Sequence, residues 1–269
     1  MNAFTHHFAF EFKTGLRNPT AMLMNYLFPI GFYAMMGLVM VQINPGFSQN
    51  LLPAMIVFFV MVGSLLGLPG PLVESREAGI YRSFKINGVP AVSILAIPTL
   101  TTIIHALIGA SIVALTAGPL FKGLTPDHWG NLALITLLTA VTMGAFGALI
   151  GVIASGSRST VLWSQLIFLP SMLLGGMMMP LDILPASVRP ISYLLPSTHA
   201  MQAFQALAFG KETLIAPWIS VPVLLSSAIL ALGLAIYLFT WDSHNSSRRG
   251  HPVMALLVML PYAISIFLN

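Results

Sequence analysis

Long apolar stretches alternate with short polar segments along most of this chain. Six of the stretches are about twenty residues long, the length that an α-helix needs to cross a hydrocarbon core of about 30 Å. The pattern predicts six transmembrane helices, at residues 19–40, 51–72, 91–117, 131–154, 160–179 and 218–241. A seventh stretch, residues 252–268, is at the lower length limit for a span and contains Pro261. It either crosses the membrane or lies in the interface, and we favour crossing.

The composition agrees with this pattern. Hydrophobic residues make up 57% of the chain and charged residues 7%, whereas a soluble domain averages about 25% charged residues. A soluble chain could not cover its surface with so few charges. The fold class is therefore an all-α, multi-pass membrane protein. The chain contains no cysteine, which excludes disulfides, thiol chemistry and cysteine-based metal sites.

The first eighteen residues predict an amphipathic helix that lies on the inner leaflet. Apolar residues four positions apart form one stripe on a helix, and here they are Phe4, Phe8, Phe12 and Leu16. Asn18 is placed to cap the first span, and Pro19 to occupy its first turn. The segment lacks the basic start, apolar core and cleavage site of a signal peptide, so we expect an interfacial helix here.

Basic residues are divided unevenly between the two sides of the predicted membrane. Most of the eleven fall on the side of the N-terminus: Lys13, Arg17, Arg76, Arg82, Lys85, Arg158, Arg248 and Arg249. The other side has Lys122, Arg189 and Lys211. By the positive-inside rule the N-terminus is cytoplasmic, in a bacterial-type cell membrane. The net charge of +4 suits anionic lipid and requires no nucleic acid as a partner.

The predicted spans are poor in polar residues. None has an Asp, Glu, Lys or Arg near its centre, so the chain lacks the ionisable path that ion-coupled transporters and proton pumps use. The embedded polar residues include Asn25, His105 and Gln165. His105 is either a functional group or a neutral imidazole bonded to a neighbouring helix, and we favour the second. The scattered histidines predict no metal site. Energy for uphill transport would have to come from elsewhere.

Residues 74–90 form a polar segment between the second and third predicted spans. This segment concentrates two acids and three bases: Glu74, Arg76, Glu77, Arg82 and Lys85. Such a composition predicts a short helix at the membrane surface that docks on a cytosolic partner. The alternative is an ordinary solvated loop. Residues 210–213 (Gly-Lys-Glu-Thr) are no nucleotide site, because they lack the upstream glycine and the Ser/Thr after the lysine of a phosphate-binding loop.

Two motifs, in this order, resemble those of type-2 ABC exporter permeases of the drug, peptide and lipid efflux branch. Residues 76–83 followed by Pro90 are similar to the family's "R-E-x-G-x-x-x-x … P" stretch. Residues 174–185 and 193–200 are similar to its "G-x-x-x-P-x-x-x-L-P … N-P-x-x-Y" region. Leu195 stands where the family often has Asn, and His199 where it often has Tyr. The resemblance covers roughly residues 10–245, including the topology.

The resemblance implies an organisation and a set of partners. Residues 1–18 would be the interfacial helix, 19–245 the ABC type-2 transmembrane domain with short re-entrant outer helices after its fifth span, and 246–269 an apolar extension. Two permeases, identical or related, would sit on two cytosolic ABC ATPase subunits. ATP and Mg²⁺ would bind in those ATPases, so this chain would hold no cofactor and would not itself be an enzyme.

The resemblance also makes residues 74–88 the coupling helix, seated in a cleft of the ATPase. Its charged residues would set the docking register: Glu74, Arg76, Glu77, Arg82 and Lys85. Its large apolar residues would fill the cleft: Tyr81, Phe84 and Ile86. Gly79 would allow close approach of another helix, and the Gly-Val-Pro sequence at residues 88–90 would end the segment.

In the family the first, second and fifth spans face the dimer cleft. Here that cleft would be almost wholly apolar apart from groups such as Asn25 and Gln165, which favours an amphipathic or hydrophobic cargo: a drug, a peptide or a lipid. The outer part of the fifth span is either a flexible exit gate or ordinary gap-filling packing, and its residues are Gly175, Gly176, Met177, Met178 and Met179. Small residues predict close helix packing at Gly63, Gly67, Gly144, Gly147, Ala148 and Gly151.

Two other classes remain open. The span count also suits a rhomboid-type intramembrane serine protease, with Ser111 as nucleophile and His105 or His199 as base. Those enzymes place the serine and histidine on the fourth and sixth spans, and Ser111 lies on the third. A membrane scaffold without transport activity is the other alternative. Copurification of an ATPase would separate the exporter from both.

Overall fold

The computed structural model describes residues 3–242 and 250–268, and every regular element in these two ranges is helical. Arg248 and Arg249, which contributed to the predicted orientation, lie outside the described residues. The principal helices are α1 (Ala3–Arg17), α2 (Pro19–Ile43), α3 (Pro45–Glu77), α4 (Ile80–Ile86), α5 (Ala91–Phe121), α6 (Trp129–Ile153), α7 (Ser157–Leu174), α8 (Arg189–Ser192), α9 (Pro196–Ala203), α10 (Pro217–Leu238) and α11 (Leu260–Leu268).

Five of these helices, α2, α3, α5, α6 and α10, are long and apolar enough to cross a membrane. They correspond to five of the six predicted spans. The fifth predicted span, residues 160–179, is represented by α7, which ends earlier, at Leu174, and is not among the five. Its first turns are too polar, because they contain Ser157, Arg158, Ser159 and Thr160. A crossing by α7 stays a prediction.

Helix α3 forms the centre of the bundle. Of its most apolar stretch, 89% is buried, against 22% for α2. A helix that is hydrophobic all round needs neighbours on every side, and α3 packs against α2, α5, α6 and α7. The aromatic ring of Phe58 stacks on that of Phe32 in α2, with centroids 4.1 Å apart, and lies 6.0 Å from that of Phe168 in α7.

Small residues bring α3 and α6 into close contact. A Cβ atom added to Gly147 would lie 2.0 Å from the backbone oxygen of Ser64 in α3. On the same helix, Gly144 faces Thr99 and Ile103 of α5. The close packing predicted for the glycines of the fourth span is therefore confirmed at both positions, because a side chain at Gly147 would meet backbone.

Helix α1 packs on the bundle as well as carrying an apolar face. The ring of Phe12 stacks on His105 of α5, with centroids 4.5 Å apart and planes within 2°. Leu16, in the predicted stripe, is 43% exposed. The predicted cap at the start of α2 is confirmed: Asn18 Oδ1 accepts hydrogen bonds from the backbone N–H groups two and three residues later, with Pro19 in the first turn.

The bundle has two ends. We call the end that carries α4 the α4 end; it also holds the ends of α3, α6 and α10 and the starts of α5 and α7. At the opposite end α7 gives way to the short helices α8 and α9. That these are re-entrant helices on the outer side stays a prediction. The apolar segment Pro252–Leu268 packs on α10, where Tyr262 Oη and Ser227 Oγ are 2.8 Å apart. It is shorter than the five long helices, and its crossing stays a prediction.

Candidate functional site

The polar segment between α3 and α5 folds as two short helical pieces, whereas the sequence predicts one. Helix α3 continues to Glu77, a turn follows, and α4 begins at Ile80. The break lies at Gly79, whose φ of +73° belongs to the left-handed region that favours glycine. A Cβ atom on Gly79 would meet nothing within 4 Å. Gly79 therefore turns the chain, and among the described residues no helix packs where its Cβ atom would lie.

Arg76 points into the protein. The residue is 5% exposed, and Nη1 donates to the backbone oxygens of Gly151 and Val152, at 3.3 and 2.8 Å. Nη2 donates to the backbone oxygen of Ala154. The guanidinium thus occupies the C-terminal end of α6, where the last carbonyls lack partners within the helix and the dipole favours a cation. Arg76 is not available to a docking partner and instead joins α3 to α6.

Tyr81 is also turned inward. It is 4% exposed, its hydroxyl donates to the backbone oxygen of Leu72 at 3.0 Å, and its ring lies 5.6 Å from that of Phe239 beyond the end of α10. Burial raises the pKa of the Tyr81 hydroxyl, the nearby Arg76 lowers it to a smaller extent, and the hydroxyl stays protonated. Tyr81 anchors α4 to α3 and to the segment after α10.

Two basic residues of α4 contact the segment that follows α10. Arg82 Nε donates to Asp242 Oδ2 at 2.5 Å, and the Arg82 guanidinium forms an ion pair with the same carboxylate. The Lys85 ammonium lies 6.0 Å from the centre of the Trp241 ring, the distance of a weak cation–π contact. These contacts hold α4 against the segment after α10, although the exposure of Arg82 limits what the ion pair adds to stability.

Several side chains between residues 77 and 86 are exposed. Ile86 is 85% exposed and Ile80 is 45% exposed. Glu77 and Lys85 are exposed too. We call this set the α4 surface: Glu77, Ile80, Lys85 and Ile86. Phe84, a predicted docking residue, is half-buried, and its ring lies 5.6 Å from that of His7 in α1. Ile80 was missed by the sequence analysis, which assigned no role to it.

The predicted gate lies where α7 ends. Gly175 and Gly176 do not loosen the helix; they end it, because Gly176 has a φ of +83° and a Cβ atom on Gly175 would lie 2.1 Å from Ser197 Oγ of α9. Met177 is buried, Met178 is half-buried and Met179 is 44% exposed. The segment therefore packs α7 against α9, and Met179 is the most exposed of its three methionines.

A polar cavity of about 360 Å³ lies between α1, α2, α3 and α5 at the level of His105. We call it the α1 cavity. Its polar lining includes Glu11, Asn18, Asn25, Glu74, Thr101 and His105. Asn25 lies against α3, with Oδ1 3.2 Å from the position that a Cβ atom on Gly63 would take. Gln165 on α7 is not part of this lining, and its place with Asn25 in a cleft between two permeases stays a prediction.

His105 is held on two sides. Its Nδ1 lies 2.6 Å from Tyr26 Oη, its ring stacks on Phe12, and its Nε2 is buried with no hydrogen-bond partner. The predicted hydrogen bond to a neighbouring helix is therefore present. Sequence reasoning missed Glu11, since nothing in its local pattern indicates that α1 folds back onto α5. Burial raises the pKa of the Glu11 carboxyl, while His7 lowers it to a smaller extent.

Replacement of Ser111 by alanine is expected to leave transport unchanged. The Ser111 hydroxyl donates to the backbone oxygen of Leu107 one turn earlier on its own helix, at 2.8 Å, the usual arrangement of a packing serine. His105 Nδ1 is bonded to Tyr26, and His199 Nε2 lies 2.9 Å from the Tyr193 backbone oxygen; within the described residues no hydrogen bond joins either histidine to Ser111. An export assay in cells would check this, and complete loss in S111A would revive the protease hypothesis.

Comparison with known proteins gives a family match and two informative relatives. A model of the ABC-2 type transporter family matches residues 3–209. The protein named "Putative transport permease YvfS" from Bacillus subtilis (strain 168) is 26% identical over 245 residues, which cover 88% of this chain and 97% of that protein. "Probable multidrug ABC transporter permease YbhS" from Escherichia coli (strain K12) is 30% identical over 67 residues, 25% of this chain and 18% of that protein. No solved structure matches.

Proposed function

The chain belongs to the ABC-2 type transporter family, and we propose that it is the permease of an ATP-driven exporter in a bacterial-type cytoplasmic membrane. As a membrane subunit of an ABC transporter, it would receive energy from separate cytosolic ATPase subunits, which bind ATP and Mg²⁺. A second permease, identical or related, would complete the pathway. The α4 end faces the cytosol in this proposal, because the described basic residues concentrate there.

The observation that carries the proposal concerns α4. The α4 surface is exposed, while other side chains of the same segment bind α3, α6 and the segment after α10. Arg76 joins the end of α3 to the end of α6, Tyr81 joins α4 to α3, and Arg82 joins α4 to the segment after α10. A push on α4 would therefore reach three long helices through hydrogen bonds and packing. Closure of an ATPase dimer beneath α4 would tilt those helices together, as in hinge and shear transitions.

This assignment separates the predicted coupling residues by role. Residues of the α4 surface would contact the ATPase directly, with Ile80 and Ile86 filling its cleft and Glu77 and Lys85 setting the register. Arg76, Tyr81 and Arg82 would be positioning residues, since their contacts are made within this chain. Gly79 supplies the turn between the two pieces, Phe84 supports α4 from α1, and Glu74 lies at the border with the α1 cavity.

We propose an amphipathic or hydrophobic cargo. The exposed face of α7 is strongly apolar, with Leu162, Leu166 and Leu173 each more than half exposed. Such a face suits contact with lipid or with an apolar cargo. The printed name of the Escherichia coli relative calls that protein a probable multidrug permease, which agrees with this class. The gate would lie beyond α7 at Met178 and Met179, whose flexible side chains can adapt to different cargoes.

The experiment is a pull-down of the tagged chain in mild detergent, with mass spectrometry and an ATPase assay. The wild-type chain is expected to retain an ATPase in equal amount. Replacing Ile80 and Ile86 together with aspartate is expected to lower that retention about tenfold or more, because two charges would enter an apolar cleft without partners. Neither isoleucine is among the anchoring contacts described above, so the fold should persist.

Ile183→Asp is the matched control. Ile183 is 66% exposed and lies at the opposite end of the bundle, so the same substitution there should leave ATPase retention unchanged. Equal retention in the double variant and the wild type would refute docking through the α4 surface. A wild-type chain that retains no ATPase would favour the scaffold alternative.

A further inference from the structure

We infer that a cavity beside α7 holds one acyl chain of a membrane phospholipid. The cavity lies between α6, α7, the start of α9 and the segment Pro252–Leu268, which we call the C-terminal segment, and its volume is about 210 Å³. We call it the α7 cavity. This role is separate from the proposed function, because the lipid is a resident part of the membrane subunit and not its cargo.

The lining of the α7 cavity is apolar throughout. Every residue that lines it is aliphatic, aromatic, proline or methionine. A buried water needs two to four polar partners, which such a lining does not offer, and an apolar cavity of about 150 Å³ is known to stay dry and to bind benzene. An empty apolar cavity destabilises a protein in proportion to its volume. The α7 cavity therefore suits a hydrocarbon ligand.

The wall that the C-terminal segment forms is anchored away from α7. Tyr262 is fully buried, with its Oη 2.8 Å from Ser227 Oγ of α10. Ser265 Oγ lies 3.4 Å from His199 Nε2 of α9. The residue of this segment with the smallest side chain in the lining is Ala255. Because the segment is held by α9 and α10, it leaves a space in front of α7 that a ligand can fill.

The α7 cavity opens on the membrane-facing surface of the bundle. Leu166 of α7 and Leu256 of the C-terminal segment line it and are 64% and 57% exposed. Phe146 and Val258 line its back and are almost fully buried. Leu162 continues the exposed face of α7 one turn away. An apolar mouth between two spans of a membrane protein meets lipid tails, which are as apolar as leucine.

The position of the cavity along the bundle indicates which lipid reaches it. Ile153, the last residue of α6, and Trp163, near the start of α7, both line the half closest to the α4 end. Trp residues favour the membrane–water interface. Arg158 is exposed five residues before Trp163, roughly 8 Å along the helix. A phospholipid of the leaflet at the α4 end can therefore place its phosphate at the level of Arg158 and one chain in the cavity.

The first test is quenching of Trp163 fluorescence in a full chain whose other tryptophans, Trp129, Trp218 and Trp241, are replaced by phenylalanine. Bromine quenches tryptophan on contact, so phosphatidylglycerol with dibromostearoyl chains reports a chain in the cavity that Trp163 lines. The brominated lipid is added in increasing mole fraction to the chain in dodecyl maltoside. Quenching is expected to saturate at low mole fraction and to be reversed by the same lipid without bromine.

Ala255→Phe fills the cavity with a ring and is expected to raise the mole fraction at half-saturation about tenfold or more. Ala133→Phe is the matched control, because Ala133 is exposed on α6 and does not line the cavity, so quenching should be unchanged there. If Ala255→Phe does not yield a folded chain, Ala255→Leu fills the same space with a smaller side chain and takes its place.

The second test is thermal unfolding in detergent with and without added phosphatidylglycerol. A ligand that binds only the folded chain stabilises it, and the unfolding temperature of the wild type is expected to rise by about 5 °C. Ala133→Phe should show the same rise. Ala255→Phe should show little or none, because the ring already occupies the place of the acyl chain.

Each contrary result overturns the inference. Quenching that rises in proportion to mole fraction without saturation does so, as does equal quenching in folded Ala255→Phe and its parent chain. Quenching by dibromostearic acid but not by the phospholipid rejects the phospholipid. Saturable quenching in monomers that is absent from dimers separated by size-exclusion chromatography assigns the cavity to a second copy of the chain. None of these tests uses an ATPase or nucleotide, so their failure leaves the proposed function intact.

Discussion

Replacement of Gly147 by alanine is expected to lower the free energy of unfolding by about 3 kcal/mol, and replacement by leucine to prevent folding. The Cβ atom of alanine would lie 2.0 Å from the backbone oxygen of Ser64 and 3.0 Å from its carbonyl carbon. Backbone atoms cannot rotate away as a side chain can, so α3 and α6 would have to separate. Helix α3 is the most buried of the five long helices, and its displacement would disturb contacts on all sides.

Thermal unfolding in detergent, followed by the loss of the monodisperse peak in size-exclusion chromatography, measures this effect. Gly233→Ala in α10 is the matched control, because a Cβ atom there would meet nothing within 4 Å. Alanine is the better helix former by about 1 kcal/mol, so Gly233→Ala should be neutral or stabilising. A Gly147→Ala chain as stable as Gly233→Ala would show that the α3–α6 contact is not required for the fold.

The positions of the five long helices could be predicted because the lengths of the apolar stretches indicate them. Helices α2, α3, α5, α6 and α10 each contain at least twenty residues, and no competing pattern produces such lengths. The end of α7 could not be predicted in this way. Its apolar residues continue to Met179, but Gly175 and Gly176 end the helix five residues earlier, because Gly175 lies against α9. That contact is tertiary and leaves no mark in the local hydrophobic pattern.

Local composition does not predict which side chains of the polar segment are buried. The sequence marks residues 74–88 as an interaction segment but not which side chains face outward. One signal was available: Arg76 follows the buried residues Leu72 and Val73 at spacings of four and three, so it continues the inward face of α3. The α1 cavity had no such signal. Glu11 and His105 are far apart in the chain, and only the packing of α1 on α5 brings them together.

Replacement of Arg76 by methionine is expected to lower the free energy of unfolding by about 3 kcal/mol and to weaken coupling, while ATPase retention persists. Methionine keeps the apolar stem and leaves the carbonyls of Gly151, Val152 and Ala154 without the guanidinium that now binds them. A buried acceptor that loses its partner costs about 1–3 kcal/mol. Because Arg76 is 5% exposed, its loss removes no exposed docking contact.

Three readouts distinguish anchoring from docking: the unfolding temperature, the amount of ATPase retained in a pull-down, and export in cells. Arg76→Met should lower the unfolding temperature and export while ATPase retention persists. The double aspartate variant of the α4 surface should keep the unfolding temperature and lower ATPase retention. For the unfolding temperature alone, Arg82→Met is the control for removal of a basic residue, since the exposed ion pair of Arg82 with Asp242 contributes only about 1 kcal/mol or less. If Arg76→Met lost the ATPase while keeping its unfolding temperature, Arg76 would be a docking residue, as its place in the polar segment first suggested, and the transmission of force from α4 to α6 would need another route.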